Sequence, residues 1–205
     1  MKIAIMQPYF FPYAGYFQLM ANVDIFVFLN DVQYVRQSWM NRNKLKTQKY
    51  FTVPVQKSSQ KTLLNNMKIQ HGWVADHLKI FMHYFGKKIK NSHLYENYIA
   101  YENYDFLCAL NIDSLKYVAS KLNIKVEFRL SSDFASDLSG QEKILHICQK
   151  LQGKEYYNLP NGIDLYNQNL FKEKGLKLKF IDTAHQEKVS ILESIFNETT
   201  SNLRF

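Results

Sequence analysis

Hydrophobic positions along the chain fall into short continuous runs that alternate with stretches of helical spacing. The first run, Ile3 to Met6, leads into a proline-rich loop, then a segment of helical spacing at 16–22 and a second run at 24–29. Short apolar runs bounded by turn residues are typical of buried strands. The first 30 residues therefore predict a strand–loop–helix–strand unit whose crossover connection makes the two strands parallel.

The rest of the chain predicts more elements of both kinds. We expect strands at 50–55, 67–69, 126–130, 156–159 and 176–181, and Pro54 places the first of these at a sheet edge or makes it end early. We expect helices at 73–90, 105–122, 140–151, 163–174 and 189–196. The predicted fold class is α/β: a Rossmann-like parallel sheet with flanking helices and a helical insertion in the middle of the chain, at roughly 73–122.

Length and composition indicate a single globular domain over residues 1–205. A chain of 205 residues buries one sizeable core, its hydrophobic content is 46%, and it contains no stretch of about 18 apolar residues that would span a bilayer. The amino terminus lacks the features of a signal peptide. Cys108 and Cys148 both lie in apolar helical patterns, as buried thiols of a reducing compartment do. We therefore expect a cytoplasmic protein.

The net charge of +8 would attract a polyanion such as nucleic acid, anionic lipid or a nucleotide-linked phosphate. The basic residues are scattered, however, with short clusters only at 44–49 and 87–90. No recognition-helix, zinc-finger or aromatic RNA-platform motif accompanies them. The sequence thus favours a solvated basic surface over dedicated nucleic-acid binding.

The loop that follows the first strand is the first candidate for ligand binding. It combines prolines, a glycine, several aromatic rings and a glutamine at the carboxyl end of a strand, where open α/β sheets bind ligands. The alternative is that its rings only form core. The candidate substrate-binding residues here are Gln7, Tyr9, Tyr13, Gly15 and Tyr16.

Polar residues also follow the second predicted strand. Asp31 is the strongest catalytic candidate, because a carboxylate there can accept a proton or hold a hydroxyl or amino group of a substrate; its alternative role is to cap the next segment. Gln33 lies two residues further on. Two successive strands would then bring polar side chains to one edge of the sheet, as a substrate cleft requires.

Residues 39–43 form a second polar cluster. Arg42 offers a planar fork for a phosphate or carboxylate, and Asn41 and Asn43 beside it can hydrogen-bond a sugar or a base. Trp39 supplies a flat face for stacking. The alternatives are an ordinary polar turn and a core anchor.

Later candidates are weaker. His71, His77 and His83 recur every six residues, which does not place them on one helical face and argues against a shared metal site, although His71 or His77 could act as a general base. Tyr157 ends a strand before a glycine-containing loop and could face an anionic group. The sequence contains no Gly-x-Gly-x-x-Gly, Walker or Gly-x-Ser-x-Gly motif and no zinc spacing, so it predicts no metal site.

Taken together, these segments resemble the WbqC-like protein family, which is found in bacterial gene clusters for O-antigen and other surface polysaccharides. The resemblance covers essentially the whole chain and is carried by Gln7-Pro8-Tyr9, Pro12 to Tyr16, Asp24 to Gln33, Asn41-Arg42-Asn43, Val53-Pro54-Val55, Tyr157 to Tyr166 and Ser190-Ile191-Leu192. It implies a role in making or decorating a nucleotide-linked sugar, such as those used for lipopolysaccharide. A fainter similarity links the first βαβ unit to nucleotidyltransferase-like proteins such as pantothenate synthetase, but Tyr13 and Tyr16 replace both histidines of their His-x-Gly-His motif.

The leading hypothesis is a transferase that modifies a dTDP- or UDP-linked amino sugar by N-acyl or aminoacyl transfer. Its co-substrate would be an acyl or aminoacyl donor carried on CoA, acyl carrier protein or aminoacyl-tRNA, and no tightly bound cofactor is expected. Arg42 would neutralise the diphosphate, and Asp31 or a histidine would orient the sugar amine. The alternatives are a nucleotidyltransferase-like adenylating enzyme and a non-catalytic sugar-nucleotide binding protein; the oligomeric state is left open.

Overall fold

The computed structural model describes residues 1–184, 187–197, 199 and 203, and the predicted strand–loop–helix–strand unit lies at its centre. The first helix, α1 (Ala14–Ala21), connects two strands that pair in parallel. In chain order the strands are β1 (Lys2–Met6), β2 (Ile25–Phe28), β3 (Arg42–Lys44), β4 (Tyr50–Thr52), β5 (Glu127–Leu130), β6 (Glu155–Asn158) and β7 (Lys177–Phe180). The predicted parallel α/β fold is confirmed.

The main sheet has five parallel strands in the order β5-β2-β1-β6-β7. The chain moves outward from β1 through β2 to β5, then returns to the other side of β1 for β6 and β7. The direction of winding thus reverses at β1. In open α/β sheets, the crevice at such a reversal, beyond the carboxyl ends of the strands, is where ligands bind.

Both faces of the sheet are covered, because alternate side chains of a strand point to opposite faces. Ile3 and Ile5 pack on one face against α5 (Gly140–Lys150) and α6 (Gln168–Glu173). Ala4 packs on the other face, with α1 and α4 (Leu107–Lys121). The near-continuous apolar sequence of β1 and β2 follows from this burial on two sides.

A long insertion between β2 and β5 holds the remaining middle elements. It contains the antiparallel pair β3–β4, followed by α2 (Trp73–Phe85), α3 (Tyr95–Ala100) and α4. Near the carboxyl end of the described chain, α7 (Leu192–Phe196) packs in the same hydrophobic cluster. Within the described residues, no helix has the length and apolar character needed to cross a membrane.

Several predicted boundaries differ from those observed. Residues 67–69 make isolated bridges to Val55 and Phe106 instead of a strand. The helix predicted at 163–174 begins only at Gln168, because Asn167 caps it by accepting hydrogen bonds from two backbone N–H groups, and a 3₁₀ helix (Pro160–Leu165) precedes it. The helix predicted at 189–196 begins at Leu192, since the backbone N–H groups of Ser190 and Ile191 bond to distant carbonyls.

His77 lies in the core of the insertion rather than at a surface. Its Nε2 lies 2.9 Å from the Thr52 carbonyl oxygen, and its Nδ1 lies 2.8 Å from the Tyr98 hydroxyl. A carbonyl only accepts, so Nε2 carries the hydrogen and Nδ1 accepts from Tyr98. Burial lowers the pKa of His77 to about 4, which keeps the ring neutral at neutral pH.

This buried imidazole should make stability depend on pH. Between about pH 6.5 and pH 4 the unfolded chain binds a proton at His77 that the native protein does not, so stability falls as the pH falls. Between pH 7 and pH 5, this group should lower the free energy of unfolding by about 2 kcal/mol. Urea denaturation of wild type and His77→Gln at both pH values measures it.

The exposed His83 on the same helix provides the control. The free energy of unfolding of His83→Gln should depend on pH as that of wild type does. His77→Gln should lack the part of this pH dependence that comes from His77. Equal pH dependence in all three proteins would contradict the assignment of a neutral, buried imidazole at position 77.

Candidate functional site

A cavity of about 780 Å³ opens at the carboxyl ends of β1, β2 and β6, at the point where the winding of the sheet reverses. Its floor includes Met6 at the end of β1, Leu29 after β2, and Asn158 at the end of β6. This volume lies within the range of pockets that enclose small-molecule ligands. The position and the size together make it the candidate site.

The loop after β1 forms one wall, and its backbone carbonyls are bonded by side chains from distant segments. Asn43 donates to the carbonyls of Phe10 (3.0 Å) and Phe11 (2.7 Å), and Asn111 donates to that of Pro8 (2.9 Å). Ser190 donates a further bond to Phe11 (2.8 Å). Because buried carbonyls need partners, these side chains fix the course of the loop.

The same loop contains two local constraints. Phe11 has φ of +43°, a left-handed conformation that is uncommon for a bulky residue and is maintained here by the surrounding bonds. A Cβ atom at Gly15 would lie 2.4 Å from the ring of Tyr13, so the glycine leaves room for that ring beside the cavity. Tyr16 is fully buried and donates to the Gln7 carbonyl at 2.7 Å.

A largely buried ion pair lies at the edge of the cavity. The Lys143 ammonium is 2.7 Å from Asp31 Oδ2, and the two side chains are only 9% and 20% exposed. The Ser131 hydroxyl donates to the other carboxylate oxygen. Burial by itself raises the pKa of Asp31, but the hydrogen bonds from Lys143 and Ser131 and the charge of Lys143 outweigh it and hold the pKa below its usual value.

The amino-terminal end of α5 faces the same space. Ser139, Gly140 and Gln141 line the cavity, and Lys143 projects from the first turn. The first backbone N–H groups of a helix lack partners within it and carry a partial positive charge. These N–H groups face the cavity beside Lys143, whose charge is paired with Asp31, and Lys188 is a further cationic residue of the cavity lining.

Phenol and amide groups from the first loop, β6 and the segment after it form a further wall. Asn158 donates to the hydroxyls of Tyr166 (2.8 Å) and Tyr156 (3.1 Å). Tyr9 donates to Gln7 Oε1 at 3.2 Å. Burial raises the pKa values of Tyr9 and Tyr166, so both remain neutral hydrogen-bonding groups. This wall offers polar but uncharged contacts.

Comparison with known proteins places this chain. A family model described as the WbqC-like protein family matches residues 7–204. The chain belongs to the WbqC-like protein family. It is similar to the uncharacterized protein Rv1507c of Mycobacterium tuberculosis, with 26% identity over 220 residues that cover 96% of this chain and 93% of the relative. No solved structure matches it.

Membership in the WbqC-like family confirms the resemblance predicted from the sequence. The matching residues include nearly the whole chain, so both the sheet and the insertion belong to the family's unit. The Mycobacterium tuberculosis relative is itself uncharacterized and assigns no activity. The chemistry of this WbqC-like protein therefore has to be argued from its own cavity.

The cavity brings together about half of the predicted site residues. Asp31, the strongest catalytic candidate, lines it together with six predicted substrate-binding residues: Gln7, Tyr9, Tyr13, Gln33, Trp39 and Asn43. These residues come from the first loop, from the end of β2 and from the segment that leads into β3. Their assignment to a ligand remains a prediction.

Other predicted residues do not line the cavity. Arg42 lies over the ring of Tyr50, with 4.8 Å between its guanidinium carbon and the ring centre. Asn41 is buried and donates to the Val53 carbonyl at 3.0 Å. The hydroxyl of Tyr157 donates to Glu155 at 2.8 Å. Each of these side chains contacts neighbouring groups of the protein outside the cavity lining. Gly15 leaves room for the ring of Tyr13, and Tyr16 donates to the Gln7 carbonyl under the first loop.

Neither predicted histidine base reaches the cavity. His77 is sealed in the insertion core, and His71 lies near the start of α2, where its Nδ1 is 2.9 Å from the Glu102 carbonyl and its Nε2 is 3.3 Å from Asp105. Among the residues that the structure describes, those that line the cavity include no histidine and no cysteine. Within the described part of the chain, no cluster of three metal-ligating side chains is found.

Sequence reasoning missed the cavity residues contributed by the carboxyl-terminal half, above all Lys143. The signal was present: Lys143 falls on the apolar face of its helix, with Ile144, Ile147 and Cys148, where a lysine is buried only if it is paired. The partner, Asp31, lies 112 residues earlier. Asn158 and Tyr166 were within the predicted 157–166 segment but were not singled out.

The role of Asn43 can be tested by truncation. In Asn43→Ala the carbonyls of Phe10 and Phe11 lose their buried donor, so we expect the free energy of unfolding to fall by about 2–3 kcal/mol. Urea denaturation measures the change. Asn169→Ala, at an exposed helical position, should stay within about 0.5 kcal/mol of wild type. A similar small effect at Asn43 would show that the loop does not depend on this side chain.

Proposed function

We propose that this WbqC-like protein is a cytoplasmic transferase that acylates the amine of a nucleotide-linked amino sugar for surface polysaccharide biosynthesis. The observation that carries the proposal is one cavity that holds a buried carboxylate–ammonium pair beside the amino-terminal end of a helix. Those features suit the two charged parts of such a substrate, its diphosphate and its amine. The family assignment is consistent with this substrate class.

The diphosphate would bind at the first turn of α5. Helix amino termini bind phosphates because free N–H groups and the helix dipole favour negative charge. Lys143, paired with Asp31, lies beside this turn, and Lys188 adds a second cationic group to the cavity lining, while the acidic Glu142 of that turn is exposed and does not line the cavity. In this proposal these lysines take the role that the sequence suggested for Arg42.

Asp31 would hold the sugar amine. A carboxylate whose pKa is held below its usual value is ionised at neutral pH and is a weak base. Its contribution is therefore to accept a hydrogen bond from the amine, orient its lone pair and stabilise the positive charge that develops on nitrogen during attack. Lys143 and Ser131 keep the carboxylate in position.

The absence of histidine and cysteine from the described cavity lining favours direct transfer over a covalent acyl-enzyme. The amine nitrogen attacks the carbonyl carbon of a thioester or ester, a C–N bond forms, and the bond to the carrier's sulfur or oxygen breaks. The leaving atom takes up the proton that the amine releases. Such a reaction depends mainly on holding the two substrates in contact.

Calorimetry with dTDP- and UDP-linked amino sugars tests the site. Wild type should bind at least one of them, and Asp31→Asn should weaken that binding about tenfold, because it removes one charge-assisted hydrogen bond. The same nucleotide sugar with a hydroxyl in place of the amine should lose less affinity on this substitution, because a hydroxyl develops no positive charge for the carboxylate to stabilise. Mass spectrometry with candidate donors then detects the acylated product.

Asp76→Asn, an exposed change on α2, is the matched control and should bind like wild type. Failure of wild type to bind any such sugar nucleotide would refute the proposal. Binding without product for any donor class would favour the non-catalytic alternative. Magnesium-dependent ATP turnover would favour the adenylating alternative, although the buried Tyr16 stands where that chemistry uses a histidine.

A further inference from the structure

Basic and aromatic side chains that are scattered in the sequence lie together on the outward face of the β3–β4 pair. Lys44 is paired with Tyr50, and the neighbouring Asn43 and Phe51 are buried. Because side chains alternate across a strand, Arg42, Lys44 and Tyr50 point away from the core. Arg42 packs its guanidinium group over the Tyr50 ring. The exposed surface is thus both cationic and aromatic.

This surface continues to the edge of the cavity. Arg36 lies in the segment before β3, where its guanidinium group donates to the Ser58 carbonyl at 3.2 Å. Trp39, in the turn that leads into β3, is 42% exposed and lines the cavity. We use the name hairpin face for Arg36, Trp39, Arg42, Lys44 and Tyr50.

The hairpin face keeps its positive charge. Among the residues that the structure describes, no carboxylate forms an ion pair with Arg36, Arg42 or Lys44, whereas Lys46 in the adjoining turn pairs with Glu187 at 2.8 Å. Cationic side chains neutralise phosphates, and exposed rings stack on bases, so this combination is typical of sites for single-stranded nucleic acid. An acidic protein partner would need the charge but not the exposed indole and phenol.

We propose that the hairpin face binds the single-stranded 3′ end of an RNA whose terminal ester delivers an aminoacyl group to the cavity. The inference rests on the proposed function and specifies its donor. Trp39 stacks on a base near the RNA terminus, and Arg42 and Lys44 contact the preceding phosphates. The sugar amine forms a C–N bond with the ester carbonyl carbon, the C–O bond to the ribose breaks, and the ribose oxygen takes up the proton.

Fluorescence anisotropy with a labelled 12-nucleotide RNA tests the surface, and calorimetry with the amino-sugar nucleotide on the same samples tests the cavity. We expect Arg36→Gln/Lys44→Gln to weaken RNA binding about tenfold and to flatten its salt dependence, and Trp39→Ala to weaken it by a similar factor. Sugar-nucleotide affinity should stay within about twofold of wild type in Arg36→Gln/Lys44→Gln. Lys87→Gln/Lys90→Gln, on the exposed 3₁₀ helix Gly86–Asn91, is the charge-matched control.

Loss of RNA affinity in the hairpin-face variants, with the control unchanged, supports the inference. Equal loss in the control would show non-specific attraction and overturn it. Product formation from acyl-CoA or acyl carrier protein, with no RNA binding, would also overturn it while the proposed function stands. If RNA binds through the hairpin face but no amino-sugar nucleotide binds the cavity, the proposed function fails and the RNA site alone is supported.

Discussion

The hydrogen-bond requirement of one buried loop governs the arrangement of this protein. Several backbone carbonyls of the loop between β1 and α1 accept no hydrogen bond from a strand or helix backbone. Asn43, Asn111 and Ser190 satisfy them from the insertion and from the carboxyl-terminal region. Because an unpaired buried carbonyl costs about 1–3 kcal/mol, the insertion and the carboxyl-terminal segment have to dock where they do. The wall of the cavity is therefore fixed by residues far from it in sequence.

The second determinant of the site is electrostatic. Asp31 and Lys143 are both largely shielded from solvent, and their opposite charges compensate for one another at the cavity edge. The amino-terminal end of α5 adds positive potential on the same side. A substrate that carries one anionic and one cationic group can bind Lys143 with the first and Asp31 with the second. Neither side chain of the pair is then left without an opposite charge. The neutral phenols and amides of the cavity lining are suited to the uncharged part of a ligand.

The insertion has two roles that its sequence does not distinguish. Its inner side is an aromatic core around His77, Phe81 and Tyr98. Phe10 and Phe11 of the first loop pack against His77 and Tyr98 of this core. Its outer side is the hairpin face, where arginine and lysine stand without acidic partners among the described residues. His77, a candidate base in the sequence, thus belongs to a core. Arg42, a candidate diphosphate ligand, belongs to an outer surface, because pairing of β3 with β4 turns it away from the buried side of Asn43.

By itself, the sequence determined the α/β class, most of the sheet strands and the family, because apolar runs and loop chemistry are local properties. It also pointed to the first loop and Asp31, which line the cavity. Tertiary structure alone decided which polar residues share the cavity. Lys143 meets Asp31 across 112 residues, and Arg42 turns outward while Asn43 beside it turns inward. Such contacts depend on strand order, pleat and helix packing, which are set by the whole core. The helical spacing marks Lys143 as a buried position but does not show which carboxylate pairs with it.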